Sequence, residues 1–297
     1  MSGVARRFGP AGPALFPLGL GCMNLSIEGR PSEAEAIRVI CAGLDSGLQL
    51  LDTADVYGLD ENDLGHNERL VARALSEWGG ARESLVVATK GGVKREGDRW
   101  WHDGRPEHLK AACEASLRRL GTDCIDLYCL HAVDDEVPIE DSVGALEDLR
   151  RQGKILRPGL SNVSRQELER ALTLAPIACV QNQAGPYAPE GLDDGVLRLC
   201  EEQGLAFVAH SPLGGWQAGR IAHEPLLQRL SKPLDLSPQQ LVLAWLLAKS
   251  PNLFVIPGAS RLVNVLSSAA VAGIELDDAL RQELDREFLA AQPQRDS

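Results

Sequence analysis

The chain is short of positive charge, has no long apolar run, and carries no cysteine pair at a metal-ligand or redox spacing. Lysine and arginine total 30 against 42 aspartate and glutamate, a formal net charge of -12. Such a balance lacks the basic face that nucleic acid or an anionic membrane requires of a partner. No run of about 18 consecutive apolar residues occurs, so no helical membrane span is expected. The first ten residues hold Arg6 and Arg7 with no long apolar segment behind them, which is not the pattern of a secretory signal. Cys22, Cys41, Cys113, Cys124, Cys129, Cys179 and Cys200 form no CxxC pair and sit mostly inside apolar runs. Reduced structural thiols in a cytoplasmic protein are the expectation. His102 and His108 are separated by a proline and a loop, not by a zinc-ligand spacing, and no metal site is expected.

With 297 residues, 44% of them hydrophobic, the chain can bury a large core. Apolar strand-like runs fall at 18–23, 49–53, 85–89, 125–130, 155–160, 179–182, 206–210 and 254–256. Amphipathic helical stretches fall between or after them at 32–46, 67–78, 106–120, 139–152, 164–174, 192–203, 237–249 and 262–272. Ser32 with Glu35 and Ser164 with Glu167 have capping-box spacing, and Ser237 precedes Pro238 as a helix start. Alternation of this kind with no composition break predicts an α/β fold, a (β/α)8 TIM barrel in one domain over 1–297. The first residues would form a hairpin closing the barrel bottom, and a further helix would occupy 277–291. A doubly wound sheet would want GxGxxG after its first strand. Gly19-Leu-Gly21-Cys-Met-Asn24 lacks the third glycine.

The chemistry is concentrated where apolar runs stop. Asp52, Lys90 and His131 each end such a run, and Tyr57 follows Asp52 in Leu-Asp-Thr-Ala-Asp-Val-Tyr-Gly. Burying charge at a strand end is costly unless the groups pair or work. In a barrel these ends converge on one mouth, which would gather Asp52, Lys90, His131, Asn162, Gln181 and Ser211 around one cavity. A phenol titrates near pH 10, and lowering that by three units takes about 4 kcal/mol. Lys90 would supply the charge for this, Asp52 would hold Lys90, and His131 would bond the phenol or a substrate oxygen. The set suits proton transfer to a carbonyl oxygen, and because no side chain donates hydride, a nicotinamide cofactor is implied.

From Leu18 through Ala272 the chain resembles the aldo-keto reductase superfamily. The matching segments include Leu51-Asp52-Thr53-Ala54-x-x-Tyr57-Gly58, Asn67-Glu68-Arg69-Leu70, Thr89-Lys90-Gly91-Gly92 and Asp126-Leu127-Tyr128-x-Leu130-His131. Gly159-Leu160-Ser161-Asn162, Val180-Gln181-Asn182, Ser211-Pro212-Leu213-Gly214-Gly215 and Val255-Ile256-Pro257-Gly258 follow in order. The resemblance implies a tetrad of Asp52, Tyr57, Lys90 and His131, with Tyr57 as the acid in reduction. It also implies NADPH held across the barrel mouth: the carboxamide by Ser161, Asn162 and Gln181, the pyrophosphate at Ser211, Leu213 and Gly214.

The chain departs from its relatives at the cofactor. His210 stands where many members have an aromatic residue against the nicotinamide, and Gly258-Ala259-Ser260-Arg261 lacks the lysine some subfamilies carry. Ser260 and Arg261, with Gly258, remain as candidates for the adenosine phosphate. Trp100 and Trp101 in the loop 92–105, and Met23 and Asn24 at the first strand end, are the substrate candidates, for a small aldehyde, a ketone or a sugar. Trp216 and Gln217 open a long loop that can cover the cofactor. Enone reduction and a non-catalytic nicotinamide sensor are the alternatives. His131, where enone-reducing steroid relatives have glutamate, favours carbonyls over the first, and the intact tetrad weighs against the second.

Overall fold

The apolar runs become the staves of a barrel, in a computed structural model that describes residues 5–97, 99–271 and 273–289. Short strands β1 (Arg6–Arg7) and β2 (Ala14–Leu15) pair antiparallel ahead of it. Then come β3 (Leu20–Gly21), β4 (Leu50–Asp52), β5 (Val86–Gly91), β6 (Val93–Glu96), β7 (Arg99–His102) and β8 (Leu127–Leu130). β9 (Pro158–Ser161), β10 (Cys179–Gln183), β11 (Ala206–His210) and β12 (Leu253–Ile256) complete the set. The 8-stranded parallel sheet runs β12-β11-β10-β9-β8-β5-β4-β3. It closes on itself, since Gly19 N–H donates to Val255 O (2.9 Å), Val255 N–H to Pro17 O (3.0 Å) and Gly21 N–H to Pro257 O (3.1 Å). Closure leaves no free edge.

Helices follow the strands: α1 (Glu33–Asp45), α2 (His66–Trp78), α3 (Pro106–Leu120), α4 (Ile139–Arg151), α5 (Arg165–Leu172), α6 (Glu190–Asp193) and α7 (Val196–Gln203). After them come α8 (Pro225–Ser231), α9 (Pro238–Leu247), α10 (Leu262–Ala269) and α11 (Asp278–Phe288). Capping boxes open α1, α5 and α9, where Ser32, Ser164 and Ser237 accept from the third residue of their helices and that residue's side chain returns the bond. The stretch expected at 192–203 is split by Gly195, at φ +83°, into α6 and α7. The last two positions of the helix expected at 277–291 lie outside the described residues.

The barrel interior is apolar: Leu50, Val86, Ala88, Leu127, Cys129, Cys179, Ala206, Val208, Phe254 and Ile256 pack together with Phe8 and Leu15. Phe8, from the turn between β1 and β2, enters this cluster edge-on to Phe254 at 5.1 Å between centroids. Burying that ring contributes about 2 kcal/mol and seals the N-terminal end of the barrel, as the expected hairpin requires. Chemistry is thereby confined to the other end. The seven cysteines are unpaired. Among the described residues no helix is long and apolar enough to cross a membrane, and no cluster of metal-ligating side chains occurs.

Two segments differ from their sequence expectation. The first strand, expected over 18–23, is reduced to β3, and Met23–Leu25 turns into a 3-10 helix. The stretch 92–105, expected as a loop, folds into the antiparallel ribbon β6–β7, with Arg95 opposite Trp100 and Lys94 opposite Trp101.

Candidate active site

Asp52 is the last residue of β4, Lys90 lies near the end of β5, His131 directly follows β8, and Tyr57 sits in the loop after β4. The Lys90 ammonium donates to Asp52 Oδ2 (2.7 Å), to Thr53 O (2.9 Å) and to Tyr57 Oη (3.2 Å). All three of its protons are thereby used. The pair is sealed from water, with side-chain exposures of 1% for Lys90 and 5% for Asp52. Burial alone would pull the Lys90 pKa down, but the Asp52 carboxylate, Tyr57 and the bond to Asp52 outweigh it, and the pKa is raised. Lys90 is a fixed cation.

Tyr57 does not follow the sequence expectation in one respect. Burial pushes its phenol above the ordinary value, and the opposing Lys90 charge does not cancel that. Asp52 accounts for part of this, because it neutralises the cation that would otherwise favour the phenolate. The expected net lowering is therefore corrected: in this state Tyr57 is a protonated phenol, a stored acid. Its ring meets the His131 ring edge-to-face at 5.7 Å. Burial holds the His131 pKa well below the imidazole range, and Lys90, His210 and His102 push it the same way. His131 is neutral, and its buried Nδ1 has no partner among the described residues.

The carboxamide candidates stand next along the barrel wall. Gln181 Nε2 donates to Asp52 Oδ1 (2.8 Å), and Ser161 Oγ donates to Gln181 O (2.8 Å). Asn162, in the left-handed region at φ +56°, donates from Nδ2 to His131 O (3.0 Å) and Ser161 Oγ (3.1 Å). Its Oδ1 lies 2.9 Å from His210 Nε2. Burial lowers the His210 pKa to about 4, so that ring is neutral and donates to Asn162. The polar cluster is continuous with the tetrad through Asp52.

The segment after β11 turns through left-handed conformations at Ser211 (φ +50°), Gly214 (φ +93°) and Gly215 (φ +56°). A Cβ at Gly214 would come within 2.5 Å of the Tyr187 ring, so only glycine is accommodated. Leu213 is half-buried beside it, and Trp216 is 89% exposed. Beyond β12, a Cβ on Gly258 would stand 2.8 Å from Asn24 Nδ2. Asn24, a substrate candidate, therefore lies against Gly258 after the eighth strand, and half-buried Met23 precedes it. Ser260 and Arg261 come just before α10, where Arg261 is exposed.

The ribbon β6–β7 separates the two tryptophans. Arg95 lies over Trp100 at 4.8 Å and donates from Nη1 to Gly58 O (2.9 Å), so this face turns toward the Tyr57 loop. Trp101 is on the opposite face, over Lys94 and Arg99, where Lys94 pairs with Asp103 (3.6 Å). Trp100 is on the ribbon face that meets the Tyr57 loop, and Trp101 is on the other face.

Several supporting residues have no role in the sequence reading beyond their motifs. Glu68, fully buried at the start of α2, accepts from Thr89 Oγ1 (2.6 Å) and Arg119 Nε (2.5 Å). Asn67 accepts from Thr53 Oγ1 (2.6 Å) and donates to Cys22 O (2.8 Å). Both fasten the residues flanking Asp52 and Lys90. Adjacent polar residues, Asn67 and Glu68, on the face of α2 that also carries Leu70, Val71 and Ala74 were the available signal.

Comparison with known proteins gives the family and the fold. The Aldo/keto reductase family profile matches residues 17–286. A probable aldo-keto reductase from Glycine max is 31% identical, with 94% of this chain and 87% of that protein covered. An aldo-keto reductase from Klebsiella pneumoniae, solved with NADPH, is 29% identical with a TM-score of 0.80, covering 99% of this chain and 98% of that one. A glycerol dehydrogenase from Gluconobacter oxydans shares the fold at 24% identity, with a TM-score of 0.84 and coverage of 100% and 99%. The chain belongs to the aldo/keto reductase family of oxidoreductases.

Proposed function

We propose that the protein reduces the carbonyl of a small aldehyde, ketone or sugar with NADPH, and that Tyr57 is the proton donor. One observation carries the reading: the buried Lys90 ammonium is shared between buried Asp52 Oδ2 and the Oη of half-buried Tyr57. A phenol that has lost its proton there faces a cation at 3.2 Å, so the charge left behind by proton transfer is stabilised where it forms. Asp52 fixes the ammonium, and Gln181 fixes Asp52. Neutral His131, edge-on to Tyr57, offers an imidazole N–H to the carbonyl oxygen and orients it toward the phenol.

The donor set fits the coenzyme. Ser161, Asn162 and Gln181 present hydroxyl and amide groups beside the tetrad, suited to a carboxamide. The left-handed turn at Ser211, Gly214 and Gly215 lets backbone approach a pyrophosphate without side-chain obstruction. NADPH, when bound, supplies the hydride. The Klebsiella pneumoniae relative solved with NADPH supports this choice. Trp100, on the ribbon face that meets the Tyr57 loop, supplies an apolar wall for the substrate.

The direct test is NADPH oxidation with a panel of aldehydes, ketones and sugars, on the parent and on Tyr57→Phe. Loss of the phenol proton should cost at least about 100-fold in kcat, the usual span for a general acid, with coenzyme affinity retained. Turnover within a few-fold of the parent would remove Tyr57 from the role.

A further inference from the structure

We infer that Arg95 is a positioning residue for Tyr57: from the β6–β7 ribbon it holds the peptide that follows the catalytic tyrosine. The inference rests on the carbonyl-reduction reading for its kinetic consequence, though not for its geometry. Arg95 Nη1 donates to Gly58 O at 2.9 Å, one residue past Tyr57, while its Nε donates to Gly97 O at 2.8 Å in the ribbon's own turn. The guanidinium plane is carried by Trp100 at 4.8 Å. A second tie runs from the ribbon's Gly97 N–H to Glu61 Oε2 at 2.8 Å. Ribbon and tyrosine loop are thus joined at two points.

The loop needs such a tie. The backbone of Tyr57 makes two long bonds, its own N–H to Ala54 O (3.4 Å) and Asn67 N–H to its carbonyl (3.3 Å), beside the Lys90 ammonium at its Oη (3.2 Å). On the far flank Asp63 accepts from Leu59 N–H (3.1 Å) and pairs with Arg30 (2.6 Å). Gly58 is wedged in between, since a Cβ there would stand 2.5 Å from Asp63 O. Arg30 therefore fixes one side of the loop and Arg95 the other. A short bond that carries a full positive charge is stronger than the long neutral bonds it supplements.

The alternative role for Arg95 is direct contact with substrate. Its Nε and Nη1 are committed to main-chain carbonyls and one face is stacked, so we assign it to position. The two roles predict different kinetics. A contact residue matters to substrates large enough to reach the ribbon, whereas a positioning residue matters equally to one that is too small.

The experiment uses the full-length protein, Arg95→Ala and Arg95→Lys, with two readouts. In hydrogen–deuterium exchange, Arg95→Ala should raise uptake in 56–65 and leave 127–131 unchanged. In kinetics with propanal, it should lower kcat about tenfold, with KM within about twofold, because a displacement of the order of 1 Å suffices for such losses. Arg95→Lys, which still donates to Gly58 O, should recover most of both. Unchanged uptake in 56–65, or a rise across the whole chain, overturns the inference. So does a KM effect confined to bulky aromatic aldehydes. If the parent reduces no carbonyl, the proposed function falls, and the exchange result alone decides whether Arg95 holds the loop.

Discussion

Gln181 donates its amide N–H to Asp52 Oδ1 at 2.8 Å, across 129 residues of sequence. The other carboxylate oxygen takes the Lys90 ammonium, so one side chain joins the coenzyme candidates to the proton-transfer set. Gln181→Leu should therefore act on both. Coenzyme affinity should fall, and kcat should fall as well, because Asp52 loses the bond that aims it at Lys90. A bond to a charged group is worth about 1.5–3 kcal/mol, a factor of roughly 10 to 150. Coenzyme titration beside kcat under saturating coenzyme separates the two effects. A variant changed only in affinity would confine Gln181 to binding.

The Lys90–Asp52 pair makes a stability prediction that differs from its catalytic one. Lys90→Met leaves a buried carboxylate with no cation, a defect that typically costs about 3–5 kcal/mol. Adding Asp52→Asn removes that charge, so the double variant should be more stable than Lys90→Met. Neither should recover turnover, because the cation facing Tyr57 is gone in both. Thermal denaturation and steady-state rates of the parent and the two variants check this. A double variant no more stable than the single would mean that the pair is worth little to the fold.

Half-buried Asp55 stands in the chain between Asp52 and Tyr57 without taking part in the tetrad. Burial and the nearby Glu68 carboxylate raise its pKa to about 8, and its Oδ1 has no partner among the described residues. An unfolded aspartate titrates near 3.9, so between about pH 4 and pH 8 the folded protein retains a proton that the unfolded chain has released. The stability from Asp55 is fully present below about pH 4, declines as pH rises, and is lost above about pH 8. Asp55→Asn should flatten that decline. Its Tm should exceed the parent's more at about pH 8.5 than at about pH 5, and parallel Tm–pH curves would contradict the shift.

Much of this was readable before folding. Barrel staves buried on both faces must be apolar throughout, so Asp52, Lys90 and His131 stood out as costly exceptions at their ends. The same logic brought Gln181 and Asn162 to the mouth. The direction of the Tyr57 shift was not readable, because it depends on how far burial outweighs an already neutralised cation. Nor was the ribbon: its strands are rich in cations, and Glu96-Gly97-Asp98 is a weaker hairpin signal than Asn-Gly or Asp-Gly. Once the ribbon forms, its alternation places Trp100 and Trp101 on opposite faces. That is why two adjacent substrate candidates lie on opposite faces of the ribbon.

Arg261 is the proposed determinant of coenzyme choice. The residue is exposed and supplies the N-cap position of α10, and among the described residues its side chain makes no ion pair. It follows Ser260 and the Gly258 backbone that packs on Asn24, the part of the mouth assigned to the adenosine end. A 2′-phosphate there would meet an unpaired guanidinium and the positive end of a helix dipole. Charge-assisted bonds of about 1.5–3 kcal/mol each make NADPH at least about tenfold tighter than NADH. NADH has no phosphate at that position, so Arg261→Ala should weaken NADPH while leaving NADH nearly unchanged. Because Arg261 is exposed, salt should screen the contact, and the gap between the coenzymes should narrow as ionic strength rises. Fluorescence titration of both coenzymes, on parent and variant at low and high salt, measures all of this. Equal losses for both coenzymes would make Arg261 a structural cap and move phosphate recognition elsewhere on the mouth.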